Sequence, residues 1–380
     1  DRWGRKRIIA IGLLVFIAGS VLAALADSIN MLIVGRAVQG AGAIAAAMAA
    51  LTADMTRENQ RTKAMAIIGV TIGGAFMVAL LVGPLLQVVT GVSGMFWLAA
   101  AMAILALLVL FFWVPKPVQL PKPRGDIFGQ LRAVFYNGQL MRMNVGIFFL
   151  HSVMTALFVV IPLSLLHYAK MPVAEHWQAY LPTMIGGVLI MIPMIGLAER
   201  KQKMRLMYLV AIVMVLVSQV ILGTAYQTLT GLLLGLWIFF IGFNFLEASI
   251  PSLISRAVGP ANRGTAMGVF STFEFFGAFA GGALAGLFYG QFGISSVFVL
   301  GAIFMLCWLA LAWKMVVVAP LQMQAVPVAN IGDDQLAELI KVLTDIPGVS
   351  EVVPESGVLH LRVDEKILDK ESLDKALAAI

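Results

Sequence analysis

The sequence predicts an all-α polytopic membrane protein with a small α+β domain at its carboxyl end. Three observations carry this: a series of long apolar runs, basic residues held to alternate loops, and a change of composition near residue 320. The ten runs begin near residues 8, 31, 63, 95, 143, 178, 206, 229, 265 and 295. Each is roughly 18–25 residues long, enough to cross about 30 Å of hydrocarbon as a helix. The chain is 61% hydrophobic and 12% charged, and no soluble fold buries so many uninterrupted apolar helices.

The loops orient the runs. Up to Lys314, the stretches before the first run and after every second one hold 19 Lys and Arg, whereas the alternate loops hold only Lys170. Positive charge stays on the cytoplasmic side. The start, the middle loop and the tail are therefore expected in the cytoplasm. Arg36 alone lies inside a run.

The first four runs are punctuated by glycine and proline, including Gly35, Gly40 and Gly42, with Gly83 and Pro84 expected at a helix-packing position. Residues 115–142 form a basic loop stiffened by Pro115, Pro117, Pro121 and Pro123. Six runs follow it. Arg61–Ile67 reads against Arg263–Val269, and Asp1-Arg2 against Glu199-Arg200, at offsets of 202 and 198. Such repeated halves are a mark of transporters. Equal halves would require two further spans upstream of Asp1. The expected units are thus 1–114, the inter-half loop 115–142, a six-helix half over 143–319, and the tail domain 320–380.

The tail has eleven acidic and five basic residues, a net of −6. A strand is predicted over Val326–Ile331, a helix over Asp334–Leu343, strands over Gly348–Val353 and Gly357–Val363, and a helix from Lys370. The order βαββα suggests a ferredoxin-like domain lacking its last strand.

Few groups inside the runs carry chemistry. Glu247 follows Asn244 by three residues, and Glu274 follows Ser271 by three. An acid at membrane depth must be neutral or partnered, so both are candidate proton sites, Glu274 the deeper. Asn144, His151 and Thr155 form a polar stripe with Phe148, expected to line a cavity; His151 can titrate near neutral pH. The alternative for Glu247 and His151 is a structural hydrogen-bond role. Gly277 and Gly281 belong to a small-xxx-small pattern expected to let helices pack closely. The single cysteine, Cys307, excludes an internal disulfide and a thiolate cluster, so no metal site is expected. No nucleotide-binding motif supports an ATP-driven pump or an enzyme.

Two motifs add a family resemblance. Asp1-Arg-Trp-Gly-Arg-Lys-Arg7 is similar to the later part of motif A of the major facilitator superfamily, and Arg36-Ala-Val-Gln-Gly40 to its motif B. The chain resembles that family's twelve-helix drug/proton antiporter branch. Within it, the chain is most similar to the YajR-type transporters, which add a ferredoxin-like cytoplasmic domain. The resemblance makes the runs helices 3 to 12, with helices 1 and 2 missing. Motif C is incomplete: Gly83-Pro84 is present, but Gln87 and Val88 stand where a glycine pair is usual.

The resemblance implies roles. Asp1, with Arg2, Gly4, Arg5 and Asp54, would form a gating network against the helix N-terminus near Gly264. The alternative is that these basic residues only set topology and bind anionic lipid. Arg36 would assist proton coupling by biasing a nearby acid, since it stays charged itself. The expected protein is a proton-coupled secondary transporter of the bacterial inner membrane that exports an unidentified small molecule by alternating access. Its partners would be substrate and lipid bilayer, with no nucleic acid, no cofactor beyond the coupling proton, and a monomeric state. The alternatives are a facilitator or symporter, or a membrane sensor whose tail signals.

Overall fold

The computed structural model describes residues 5–42, 44–56, 58–115, 127–200, 202–258, 263–315, 322–327, 333–355, 358–363 and 368–378; within these, some side chains, Asp54 among them, are also outside the description. Eight helices among the described residues are long and apolar enough to cross a membrane.

The first part comprises α1 (Arg5–Ala24), α2 (Ile29–Ala41), α3 (Ala45–Met55) and α4 (Glu58–Phe112). Ser28 starts α2, its hydroxyl accepting from the Met31 amide at 3.2 Å, a standard N-cap. The run expected from residue 31 is divided, because α2 stops at Ala41 and α3 begins at Ala45. Gly42, at the break, lies against α1: a Cβ there would come within 2.6 Å of the Phe16 amide nitrogen. The runs expected from 63 and 95 form one long element, α4, interrupted at Gly91 with φ +67° and ψ −175°. Glycine takes that backbone shape at least cost. Among the described residues, Leu81–Phe112 is the part of α4 that qualifies as a span, and α2 and α3, divided at the break, are each too short to qualify alone.

The inter-half segment is not all loop. It contains α5 (Ile127–Tyr136), whose Val134 is buried and whose Leu131 packs on the same core. Thr265 donates to the Gln130 side-chain oxygen at 2.8 Å, tying α5 to the start of the helix that begins at Arg263.

Six long helices follow: α6 (Gly138–His167), α7 (Trp177–Arg200), α8 (Met204–Ala225), α9 (Leu229–Ala257), α10 (Arg263–Phe292) and α11 (Ile294–Ala312). Asn137 caps α6 through the amides of Gln139 and Leu140, and Thr228 caps α9 through that of Gly231. These helices share one core, with Tyr208, Phe239, Phe240, Phe245, Phe298 and Trp308 fully enclosed. Outward residues such as Val89, Phe112 and Phe279 are apolar and exposed, as a lipid-facing surface requires.

Contacts on the basic face join helix ends. Lys6 donates to the Val114 carbonyl at 2.6 Å, and Arg205 to that of Trp313 at 2.6 Å. Arg142 reaches the Lys314 carbonyl at 3.3 Å, and Arg256 pairs with Glu199 at 3.1 Å. Cations suit the carbonyl-rich ends of helices, so these basic residues in the end turns of helices fasten neighbouring helix termini as well as carrying charge.

The tail runs β1 (Gln322–Pro327), α12 (Asp333–Thr344), β2 (Val349–Glu355), β3 (Val358–Val363) and α13 (Lys370–Ala378). Its sheet is antiparallel in the order β1-β3-β2. Leu359, Leu361 and Val363 alternate along β3 and are fully buried with Leu343 of α12 and Leu373 of α13. The first strand lies earlier than the predicted Val326–Ile331. Its register pairs Gln322 with Val363 and Val326 with Leu359. The polar Gln322 and Gln324 hide its alternation in the sequence, and residues 328–332 lie outside the described part.

Candidate coupling site in the second helical half

Three helices converge here because two of them touch through glycine. On α10, a Cβ at Gly277 would come within 2.8 Å of the Phe148 Cα, and one at Gly281 within 2.5 Å of the Ser152 Cα. Only a glycine face lets α10 lie so close to the α6 backbone. Ser152 strengthens the seam: its hydroxyl is 2.7 Å from the Phe148 carbonyl oxygen and 2.9 Å from that of Gly277. Its neighbour His151, on the adjacent side of α6, is thereby held toward α9 and α10.

His151 is where the acids meet. Its Nε2 lies 3.6 Å from Glu274 Oε1 and 3.9 Å from Glu247 Oε2. One ligand-type atom from each residue fits within 4.8 Å of the others. The imidazole side chain is 9% exposed, and the Glu247 and Glu274 side chains are 36% and 22% exposed. The cluster is therefore enclosed on the imidazole side and open on the carboxylate side. Phe243 lies beside the imidazole, its ring 5.9 Å away, and stacks on Phe239 at 5.4 Å.

Among the described residues, no Lys or Arg pairs with either acid. Glu247 Oε2 is excluded from solvent and has no hydrogen-bond partner there. Both His–Glu separations exceed a direct hydrogen bond and are short enough for a bridging water or a small closing movement.

The sequence marked these three residues on three separate runs; the structure brings them together. Glu247 and Glu274 both lie within 4 Å of the one imidazole. Around them, Ser271 and Thr155 are half-buried. Asn244 Nδ2 is enclosed without a partner among the described residues. Asn144 departs from the cavity-lining expectation. It is 1% exposed, and neither side-chain atom has a partner there. Two helical turns from His151, it is packed inside the bundle.

Arg36 lies away from this cluster, in the first half. It donates to Gln39 Oε1, and its guanidinium lies 5.9 Å from the centre of the Phe96 ring. Gln39 in turn donates to Ser20 at 2.7 Å, and Ser20 to the Phe16 carbonyl at 2.8 Å. This relay joins α2 to α1. Gln39 and Ser20 were absent from the sequence candidates, although a glutamine three residues after an intramembrane arginine is a readable signal.

Of the proposed gate, Asp1, Arg2, Gly4 and the side chain of Asp54 lie outside the described residues. Arg5 opens α1, and Gly264 lies in the first turn of α10, where an added Cβ would meet nothing within 4 Å among the described residues. At Gly83, just before Pro84 in α4, an added Cβ would meet only the Met95 methyl, at 4.0 Å. The close packing expected there is not present among the described residues.

Comparison with known proteins agrees with this architecture. A family model described as Major Facilitator Superfamily matches residues 1–282 and 205–343. The inner membrane transport protein YajR of Escherichia coli is 38% identical over 385 residues, covering 99% of this chain and 84% of its own. An uncharacterized transporter of Buchnera aphidicola is 32% identical over 284 residues, covering 74% and 73%. In structure, the human organic anion transporter MFSD10 is similar with a TM-score of 0.61 at 19% identity, over 81% of this chain and 77% of that one. A bacterial homologue of the lysosomal transporter Spinster, inward-facing and occupied, gives 0.61 at 18% identity over 82% of each. With eight apolar spans among the described residues, six of them sharing one core, and a family model covering most of its length, the chain belongs to the Major Facilitator Superfamily and is a multi-pass membrane transporter.

Proposed function

We propose that this transporter is proton-coupled, exports a small molecule by alternating access, and uses the His151–Glu247–Glu274 cluster as its coupling site. The observation that supports this is the convergence of two carboxylates on one enclosed imidazole, with no fixed cation among the described residues. An ionised carboxylate at membrane depth needs a partner, and a protonated one does not. Adding or removing a proton therefore changes the free energy of any conformation that encloses the cluster. A differential of about 1.4 kcal/mol shifts the ratio of two conformations tenfold. Glu247 on α9 and Glu274 on α10 belong to different helices, so a change in their shared proton also changes how those helices meet.

Arg36 serves differently on this reading. It sits in a separate polar relay with Gln39 and Ser20 and holds α1 to α2. The tail is read as cytoplasmic, because it follows a basic helix end, and as ferredoxin-like. Its β1-β3-β2 order is what a split βαβ unit gives when the third strand inserts between the first two. Its net −6 is opposite in sign to the basic loops, which supports weak, salt-sensitive docking beneath the bundle.

Flux in proteoliposomes tests the coupling. With an imposed pH gradient and an internal pH-sensitive dye, a panel of small organic solutes should elicit proton movement through the wild type. Glu274→Gln and Glu247→Gln should each remove the gradient dependence, the two together no more than either alone. Normal gradient dependence in both variants would reject the cluster as the coupling site.

A further inference from the structure

The same three side chains form a ligand set that the sequence did not suggest, since metal sites were sought there through cysteine. We propose that His151, Glu247 and Glu274 bind a divalent first-row transition-metal ion of the Mn2+, Co2+ or Zn2+ class.

The chemistry matches on four counts. One imidazole and two carboxylates are the donors such ions prefer, and the absence of a nearby thiolate disfavours soft ions. Three protein ligands with one open side leave room for water or a further ligand. Metal–nitrogen and metal–oxygen bonds of about 2.1 Å place neighbouring donors about 3.0–3.4 Å apart. The observed 3.6 and 3.9 Å are slightly longer, and all three donor atoms lie within 4.8 Å of one another. Finally, a dication is the smallest species that cancels two ionised carboxylates at once. Among the described residues no Lys or Arg does so, and Glu247 Oε2 is enclosed with nothing donating to it. The exposed flanks of Glu247 and Glu274 provide the way in.

The site stands or falls independently of the transport reading, because binding needs no gradient. The test uses the purified full chain in detergent with the metal alone. Co2+ should give a visible absorption spectrum saturating at one equivalent and lacking a thiolate band; Zn2+ should displace it. His151→Ala, Glu247→Gln and Glu274→Gln should each weaken binding by at least about tenfold, since loss of an outer-shell partner alone costs 10–100-fold. His360→Gln, in the tail, should leave it unchanged. Where Glu274→Gln is not monodisperse, Glu274→Asp keeps the donor on a shorter stem and should alter the Co2+ spectrum. No saturable binding to the wild type, an unaltered spectrum in Glu274→Asp, or binding that survives loss of all three side chains would overturn the inference. The last would mark adventitious binding to the acidic tail. A thiolate band would overturn it too, by pointing to Cys307.

Discussion

Gln39 shows how much a single buried polar side chain decides. It is 4% exposed, accepts from Arg36 and donates to Ser20, which is fully buried. Gln39→Leu should leave Arg36 without its partner and cost about 1–2 kcal/mol. Ser20→Ala should cost less, because most of that hydroxyl's bonding is to the Phe16 carbonyl of its own helix. Thermal unfolding in detergent checks both; equal melting of Gln39→Leu and wild type would remove the relay from the account. The same scale explains the His151 cluster. Glu247, Glu274 and His151 were readable as isolated polar residues in apolar runs. Their partnership was not, because 96 residues separate His151 from Glu247 and nothing local links them.

Elements meet where glycine removes side-chain bulk. Gly281 and Gly286 lie on the same helix and differ in surroundings: a Cβ at Gly281 strikes the Ser152 backbone, whereas one at Gly286 meets nothing within 4 Å. Gly281→Ala should therefore push α10 from α6 and cost about 1–3 kcal/mol. Gly286→Ala should be neutral or stabilising by up to about 1 kcal/mol, since alanine favours helix. A shared melting temperature for the two variants would refute the seam. The small-xxx-small spacing was legible in the sequence, but its contact face was not. Gly83 belongs to an equally suggestive Gly-Pro pair and has open space beside it. The break at Gly42–Ala45 and the helix α5 were also missed. Mean apolarity continues through the first, and prolines upstream obscured the amphipathic pattern of the second.

At the scale of the whole molecule, the tail has a core of its own. Leu343, Leu359, Leu361, Val363 and Leu373 form a cluster separate from the membrane core. Leu361→Ala should cost about 2–5 kcal/mol, comparable to the whole margin of about 3–5 kcal/mol for a domain this small. Limited proteolysis should then release the tail and leave the membrane part intact. If the acidic tail docks on the basic loops, the same variant should lose the salt dependence of flux, since such contacts are screened over about 8 Å at physiological salt. A flux whose salt response is unchanged after the tail unfolds would leave the tail without a docking role.

The sequence by itself determined the membrane class, the alternation of the loops, the family and most of the helix positions. These depend on hydrophobicity, charge and short motifs, all of which act along the chain. It also determined which polar residues stand out of place in apolar surroundings. Only the tertiary structure decided which of them meet. Convergence on His151 depends on the approach of α10 to α6 through Gly277 and Gly281, and on the rotation of α9 beside both. Such contacts are set by packing between helices distant in sequence, and no period within one helix encodes them.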